Sequence, residues 1–318
     1  MNHKGGWTAV GNANDVVTFT GSEGVQHLSR PPNLQLPLRI CGVARLVGFV
    51  LTPPPCRPTG PKGQVGSAGR LVPMPRISAY HRPVDIPGAL ALLHRPAVRS
   101  VVLGGGTSVV PDRVDVATEV IDLQALGLGS ISLANALTLG ATATLHSVFT
   151  CADVPAALRE AARREQPSTL RTLATVGGTI VAGGGESEFL ATLLAFDARV
   201  SFVNLDGSHE RMLDNVLADP SVIHGAIIVS VSLDPTGFAV AARTGRTPMD
   251  SPIVAVVGRR RADGSRVYAA SGVASPAVLV TDPSRLTPPG DFRGSTEYRT
   301  ALAVELFGRV AEALAVLA

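Results

Sequence analysis

The sequence is poor in cysteine. Three of its 318 residues are cysteines, at positions 41, 56 and 151, and they form no Cys-x-x-Cys pair. The histidines, among them His94, His146, His209 and His224, are scattered and do not cluster with Cys, Asp or Glu at ligand spacing. Structural zinc and iron–sulfur clusters need such spacings, so we predict neither a metal site nor a disulfide framework in this chain.

Lysine is absent after Lys62. The P-loop motif GxxxxGK[ST] needs a lysine that reaches the phosphates, so this class of nucleotide site is excluded. No run approaches the ~18 uninterrupted apolar residues of a membrane helix, and the first residues lack the pattern of a secretory signal. We therefore expect a cytoplasmic protein without a transmembrane segment.

Charge is unevenly distributed along the chain. Lysine plus arginine total 28 and aspartate plus glutamate 25; residues 1–73 hold 7 and 2 of these, which leaves 21 and 23 for residues 74–318. A mildly acidic main part is a poor surface for nucleic acid. The basic run Arg259–Arg261 precedes Ala-Asp-Gly-Ser and is predicted to be a solvated hairpin shoulder, with a phosphate-binding patch as the alternative.

The first 73 residues differ in composition from the rest. They contain 11 glycines and 9 prolines and show no sustained helical or strand periodicity, which is typical of disordered or low-complexity sequence. We predict that residues 1–73 form such an extension, with Met74 as an alternative start. Two folded regions are expected after it, residues 74–237 and residues 238–318.

From Met74 onward, short strands alternate with helices. The apolar patterns predict helices near 89–93, 155–165, 189–196 and 296–317, and strands near 100–103, 119–123, 137–141, 199–204, 227–233, 266–270 and 277–281. Asp206-Gly207 and Asp263-Gly264 are predicted hairpin turns. Residues 251–257 fit a helix or a strand, and the mixture as a whole predicts an α+β fold.

Two glycine-rich segments carry the functional signal: Leu103–Pro111 (LGGGTSVVP) and Thr175–Gly185 (TVGGTIVAGGG). Without a Cβ, consecutive amides can turn towards a ligand and form an anion-binding concavity. A dinucleotide fingerprint would need GxGxxG opening a helix, but Gly106 is followed by β-branched residues and Pro111. We predict that neither segment launches a nucleotide-binding helix and that both hold one diphosphate; a tight turn is the alternative interpretation of the first.

Several motifs follow one another in a fixed order. They are YHRP at 80–83, GGGTSVVP at 104–111, VIDL at 120–123, LGA at 139–141, STLRTLATVGG at 168–178 and FLATLLAFDARVSFVNLDG at 189–207. From about Met74 onward, the chain thus resembles the FAD-binding medium subunits of molybdenum hydroxylases, of the carbon monoxide dehydrogenase and xanthine dehydrogenase type. The resemblance implies a two-lobed FAD-binding domain of the vanillyl-alcohol-oxidase/p-cresol-methylhydroxylase type, with a smaller C-terminal α/β domain.

The resemblance implies that the two glycine segments together clasp the FAD diphosphate. The cofactor-binding residues carried over are Gly104, Gly105, Gly106, Thr107 and Ser108 in the first segment, and Thr175, Gly177, Gly178 and Thr179 in the second. Hydroxyl groups add donors to the backbone amides. For Arg171 two roles stay open, neutralising the phosphates or forming a structural ion pair.

Two positions depart from the pattern of the family. Thr179 stands where asparagine is usual, and Glu188 stands where an aspartate usually contacts the ribose. Glutamate keeps the charge and reaches further, so Glu188 is retained among the expected cofactor-binding residues.

The resemblance also implies a function and partners. The chain would belong to a complex with an iron–sulfur small subunit and a molybdopterin large subunit, and its FAD would pass electrons from the clusters to an external acceptor. No side chain of this chain is then expected to be catalytic, because the cofactor carries the chemistry. The alternatives are a diverged flavin-free scaffold subunit of such a complex and a stand-alone flavin oxidase.

Overall fold

The computed structural model describes residues 77–108, 118–245, 247 and 250–316, and the backbone of three strands near the start of the chain. These strands are β1 (Thr8–Gly11), β2 (Val17–Gly21) and β3 (Gly24–Leu28), which pair antiparallel in that order. The chain divides into two units, Met1–Ala68 and Gly69–Ala318. Apart from the three strands, the prediction for residues 1–73 lies outside the described residues, and it stays a prediction.

The second unit begins with a parallel sheet. Its strands are β4 (Ile77–His81), β5 (Ser100–Leu103) and β6 (Thr118–Asp122), in the order β4-β6-β5, and helix α1 (Ile86–Leu93) connects β4 to β5. The carboxylate of Asp85 caps α1 by accepting the Gly88 N–H at 2.7 Å. Ala89 and Leu90 of the helix pack against Ile121 of the central strand. Parallel strands need such a crossover, and here it buries one face of the sheet.

The next sheet is antiparallel, in the order β10-β9-β11-β8-β7. Its strands are β7 (Ile131–Leu133), β8 (Leu137–Gly140), β9 (Arg199–Asn204), β10 (Gly207–Met212) and β11 (Ile227–Leu233). The accompanying helices are α2 (Leu145–Thr150), α3 (Ala156–Glu165), α4 (Ser168–Arg171), α5 (Val176–Ala182), α6 (Glu188–Ala195) and α7 (Leu213–Ala218). Strands β9 and β10 form the first predicted hairpin.

The C-terminal sheet is antiparallel in chain order. It consists of β12 (Phe238–Thr244), β13 (Val254–Arg260), β14 (Arg266–Ser271) and β15 (Val278–Leu279), and it packs against helix α8 (Thr296–Val316). Gly258 lets α8 approach β13 closely, because a Cβ there would lie 2.5 Å from a methyl group of Val310. The residues at 251–257, which fit a helix or a strand, lead into β13 and form a strand from Val254.

Helix α6 joins the antiparallel sheets into one core. All eight of its residues are buried. The largest cluster of buried side chains combines Leu139 and Val231 of the first antiparallel sheet with Val257 and Ala269 of the C-terminal sheet. The division at residue 237 stays a prediction, and the contacts show apolar packing across that position. Within the described ranges, no helix combines the length and apolar character needed to cross a membrane.

Most of the predicted elements are confirmed. Strands β5, β9 and β11 coincide with their predicted bounds, and helices α3, α6 and α8 lie within one residue of theirs. The α/β mixture is confirmed as well. The segments with the clearest apolar periodicity therefore form the predicted helices and strands, because each of these elements buries one apolar face against a neighbour.

The arginine run lies at the predicted hairpin, where β13 pairs with β14, but the prediction that it is solvated is wrong for Arg259. Arg259 is fully buried in β13, where its guanidinium pairs with Asp197 at 3.1 Å and with Asp234 at 2.6 Å. Arg261 binds Asp197 through two nitrogens at 2.6 and 2.7 Å. The carboxylates come from distant parts of the chain, so the local sequence could not show that the arginines are neutralised within the fold.

Candidate functional site

The first glycine segment is the loop that leaves strand β5. Gly106 has a φ of 76°, a conformation that favours glycine. Within the described part of the chain, the backbone N–H groups of Gly105, Gly106 and Thr107 have no hydrogen-bond partner. Ser108 is exposed, and residues 109–111 of the motif lie outside the described residues. This loop therefore carries amide donors that a ligand can engage.

The second glycine segment begins a helix, which corrects the sequence prediction. Thr175 is the N-cap of α5, and its Oγ1 accepts the N–H of Gly178 at 3.1 Å. The Thr175 carbonyl accepts the N–H of Thr179 at 2.9 Å. The central glycines lower the helix propensity of the segment, and the cap and the packing around it offset this deficit.

The amides at the start of α5 are used inside the protein. The N–H of Val176 donates to the Ala143 carbonyl at 2.9 Å, and the N–H of Gly177 donates to the Ala141 carbonyl at 2.8 Å. Gly177 is buried, and a Cβ on it would lie 3.0 Å from that carbonyl oxygen. The second segment thus differs from the first, because its glycine amides serve helix capping and packing.

The structure brings the two glycine segments together. A Cβ on Gly105 would lie 1.6 Å from the carbonyl oxygen of Leu173, and a Cβ on Gly104 would lie 2.7 Å from Oγ1 of Thr175. A Cβ on Gly178 would lie 2.8 Å from the same Thr175 oxygen. Glycine is required at Gly105, where backbone meets backbone. The prediction that these segments share one location is therefore consistent with the geometry, and the loop after β5 together with the start of α5 is called the cradle below.

Two motifs without a predicted role meet beside the first loop. Tyr80 of the YHRP motif donates its hydroxyl hydrogen to Oδ2 of Asp122, in the VIDL motif, at 2.6 Å. Oδ1 of Asp122 accepts the backbone N–H of Gln124 at 2.9 Å, and the side-chain amide of Gln124 donates to the carbonyl of Gly104. The hydrogen bond to Asp122 raises the pKa of Tyr80, because it stabilises the protonated hydroxyl beside the carboxylate. Sequence reasoning missed these three residues as site components, although the motifs were the available signal.

Glu188 is the predicted site residue whose surroundings differ most from expectation. Its side chain is 3% exposed at the start of α6; Oε1 lies 3.2 Å from Arg164 and Oε2 lies 3.3 Å from Arg243. Burial raises the pKa of Glu188, and the two arginines oppose that shift. Both carboxylate oxygens thus face internal cations, and a ribose contact of Glu188 stays a prediction.

A second carboxylate lies next to Glu188. Glu165 ends helix α3, and its Oε2 accepts the backbone N–H of Phe189 at 3.2 Å. The pKa of Glu165 is raised to about 7, chiefly by loss of water around the carboxylate and to a smaller extent by the negative charge of Glu188, while hydrogen bonds oppose the shift. The start of α6 is thus held by two acidic side chains, one of which changes charge near neutral pH.

Arg171 has a structural role that neither earlier alternative describes. It is 8% exposed, its Nη1 donates to the Arg163 carbonyl at 2.6 Å, and its guanidinium lies 5.1 Å from the ring centroid of Phe149. These contacts hold α4 against α2 and α3.

Two adjoining cavities lie at the end of the second glycine segment. One has a volume of about 310 Å³ and is lined in part by Gly184, Gly185 and Arg299. The other, of about 490 Å³, shares Glu186 and Asp291 with it. Among the described residues, no group of His, Cys, Asp and Glu side chains is arranged to hold a metal ion.

Comparison with known proteins bears on this cradle. Residues 75–235 match the family described as the FAD binding domain in molybdopterin dehydrogenase. The chain belongs to this family. FAD is accordingly its cofactor. The first loop of the cradle carries amides that have no hydrogen-bond partner in the described part of the chain, and a diphosphate site needs such donors.

This FAD-binding family member is also similar to a curated protein and to solved structures. The uncharacterized protein YgfM of Escherichia coli strain K12 is 30% identical over 243 residues, which cover 70% of this chain and 91% of YgfM. A structure of carbon monoxide dehydrogenase from Hydrogenophaga pseudoflava has a TM-score of 0.69 at 21% identity, covering 76% of this chain and 98% of that one. Quinoline 2-oxidoreductase from Pseudomonas putida 86 gives a TM-score of 0.65 at 19% identity, with 75% and 96% covered. Each of these two structures shares its fold with the three quarters of this chain that it covers.

Proposed function

We propose that this chain is the FAD-binding subunit of a molybdenum hydroxylase, and that it passes electrons from an iron–sulfur subunit through FAD to an external acceptor. The observation that carries the proposal is the contact between the glycine segments. Gly104 and Gly105 lie against Thr175 and Leu173, and the amides that follow have no partner in the described part of the chain. FAD supplies the redox chemistry, and this chain binds and orients it.

The two segments take different parts in the proposed clamp. Gly105, Gly106 and Thr107 supply backbone donors to the diphosphate, and Ser108 adds a hydroxyl. Gly104 has no side chain, which leaves room for the hydroxyl of Thr175. In the second segment, the outward-facing residues Gly178 and Thr179 contact the ligand, and the buried residues Thr175 and Gly177 shape the cradle.

We assign Glu188 to the interior of the protein. Its ion pairs with Arg164 and Arg243 tie α6 to α3 and β12. Turning a buried carboxylate held in this way towards a ligand costs more free energy than turning a surface aspartate, because the arginines would lose their partner. In this proposal Glu188 acts on the flavin site through the position of α6.

The remaining parts of the proposal are expectations that rest on the family resemblance. The partners are an iron–sulfur small subunit and a molybdopterin large subunit, and the location is cytoplasmic. Residues 74–237 form the two-lobed FAD-binding domain of the vanillyl-alcohol-oxidase/p-cresol-methylhydroxylase type, and residues 238–318 form the C-terminal flavoprotein domain. The similar solved structures are a carbon monoxide dehydrogenase and a quinoline oxidoreductase, which supports an oxidoreductase role.

A flavin-free scaffold subunit is the second candidate. The engaged amide of Gly177 favours it, because Gly177 is one of the residues that the sequence resemblance assigned to the ligand. The first loop supports FAD binding instead, since three amides there have no hydrogen-bond partner within the described residues.

The test is a flavin titration of the purified full chain. We expect a yellow protein with one FAD per chain that regains FAD after the cofactor is removed. Riboflavin serves as the matched control, because it has the same ring system without the diphosphate and is expected to bind far more weakly. A colourless chain that takes up no FAD would support the scaffold candidate. Copurification with iron–sulfur and molybdopterin subunits, and flavin reduction in that complex when substrate is added, test the electron path.

A further inference from the structure

The YHRP and VIDL motifs converge on one carboxylate. Strands β4 and β6 are parallel neighbours, and Tyr80 pairs in register with Val120. This register places the Tyr80 hydroxyl 2.6 Å from Oδ2 of Asp122, and Arg82 lies 3.6 Å from the same oxygen. Asp122 itself is 4% exposed. A buried carboxylate with these partners has a single orientation, because turning it would leave a charge without hydrogen bonds.

The second oxygen of Asp122 acts on the chain that follows. It caps a short 3₁₀ turn, Leu123–Leu126, by accepting the N–H of Gln124 at 2.9 Å. The turn positions the side chain of Gln124, whose amide donates to the carbonyl of Gly104. Hydrogen bonds thus connect an exposed tyrosine of β4 with the first peptide of the glycine loop.

The bond to Gly104 determines the direction of the next amide. In a trans peptide the C=O and N–H point in opposite directions in one plane. With the Gly104 carbonyl held by Gln124, the N–H of Gly105 points away from Gln124. Glycine peptides are otherwise free to rotate through a wide range of backbone angles, and this freedom would be lost on binding a ligand.

We propose that Tyr80, Asp122 and Gln124 form a positioning relay that preorganises the Gly104–Gly105 peptide for the FAD diphosphate. The inference rests on the proposed clamp, and it adds residues that neither glycine segment contains. Gln124 is a positioning residue, because it acts on the ligand through the orientation of the loop. Its exposed side chain contributes little to the core, which separates this role from a purely structural one.

The first test replaces the donor that touches the loop. Gln124→Leu removes the hydrogen bond to Gly104, and we expect FAD to bind about tenfold more weakly, the size of one lost hydrogen bond that preorganises a site. The thermal midpoint of the flavin-free protein should remain unchanged. Gln166→Leu, at the end of α3, is the matched control and should bind FAD like the wild type. Equal FAD affinity in the two variants would overturn the proposal.

A double-mutant cycle tests the relay as a unit. Tyr80→Phe removes only the hydroxyl that orients Asp122, and we expect FAD affinity to fall about threefold. In the Gln124→Leu background the same change should leave FAD affinity unaltered, because the hydrogen bond from residue 124 to the Gly104 carbonyl is already absent. Tyr298→Phe in α8 is the control for loss of an unrelated hydroxyl. Additive effects would show that Tyr80 and Gln124 act independently and would contradict a relay.

The outcomes separate this inference from the proposed function. If the wild-type chain takes up no FAD, the proposed flavin clamp fails. If the wild type binds FAD and Gln124→Leu binds it equally well, the clamp stands and only the relay is wrong.

Discussion

The carbonyl oxygen of Leu173 occupies the position next to Gly105 that a side chain would need: a Cβ built on Gly105 would lie 1.6 Å from it. Backbone atoms cannot move aside as a flexible side chain can. The contact joins the loop after β5 to the residues just before α5, so it sets the separation of the two glycine segments.

Gly105→Ala is therefore expected to remove FAD binding. The added methyl group must push the first loop away from Leu173, which opens the cradle. The FAD content after purification and the dissociation constant after reconstitution measure the effect. Gly308→Ala, on α8 where a Cβ meets no atom within 4 Å, is the matched control and should retain full FAD content. Stoichiometric FAD in Gly105→Ala would refute the two-segment clamp.

The hydroxyl of Thr175 caps α5 and separates Gly104 from Gly178. Thr175→Val keeps the shape of the side chain and removes the acceptor for the Gly178 N–H, so we expect a loss of about 1 kcal/mol in unfolding free energy and weaker FAD binding. Thr175→Ser retains the oxygen and should keep both properties close to wild type. Denaturant unfolding and FAD titration provide the measurements; identical behaviour of the valine and serine variants would contradict a capping role.

Glu165 predicts a pH dependence of stability. Its pKa in the folded protein is raised to about 7 from the usual 4.5, chiefly by desolvation. The folded state therefore binds the proton more tightly than the unfolded state, and this contribution to stability is complete below about pH 4.5 and is lost as the pH rises through about 7. Because Glu165 is only half-buried, we expect a loss of about 1 to 2 kcal/mol from this group.

Glu165→Gln removes the titrating group and keeps an oxygen that can accept the Phe189 N–H. We expect the variant to gain stability relative to the wild type between pH 5 and pH 8, as measured by thermal midpoints across that range. A constant difference between the two proteins at every pH would show that Glu165 does not titrate in this window.

The buried Arg259 is expected to be essential for the contact between the C-terminal sheet and the rest of the unit. Arg259→Met removes the cation that Asp197 and Asp234 share and leaves Asp197 paired with Arg261, and a loss of about 2 to 4 kcal/mol in unfolding free energy is expected. This range allows for the partial exposure of both carboxylates. Arg266→Met, at an exposed position of β14, should change stability by less than about 0.5 kcal/mol. Equal stability of both variants would refute the role of the buried network.

Local patterns predicted the elements better than they predicted the site. Strands such as β9 and helices such as α8 bury one apolar face, and that requirement is visible as periodicity in the sequence. Helix α5 was missed because Gly177 and Gly178 look like a loop, whereas the cap from Thr175 and the carbonyls of Ala141 and Ala143 stabilise a helix there. These carbonyls lie more than thirty residues earlier in the chain, beyond the range of any local pattern.

The sequence by itself determined the α/β character, the family resemblance and the glycine positions, because motif order and apolar periodicity are properties of the chain. Only the tertiary structure decided which amides remain available to a ligand, that Glu188 faces Arg164 and Arg243, and that Tyr80 and Gln124 share the carboxylate of Asp122. The physical reason is that hydrogen bonds and ion pairs depend on distances between residues that are far apart in sequence, and packing alone sets those distances.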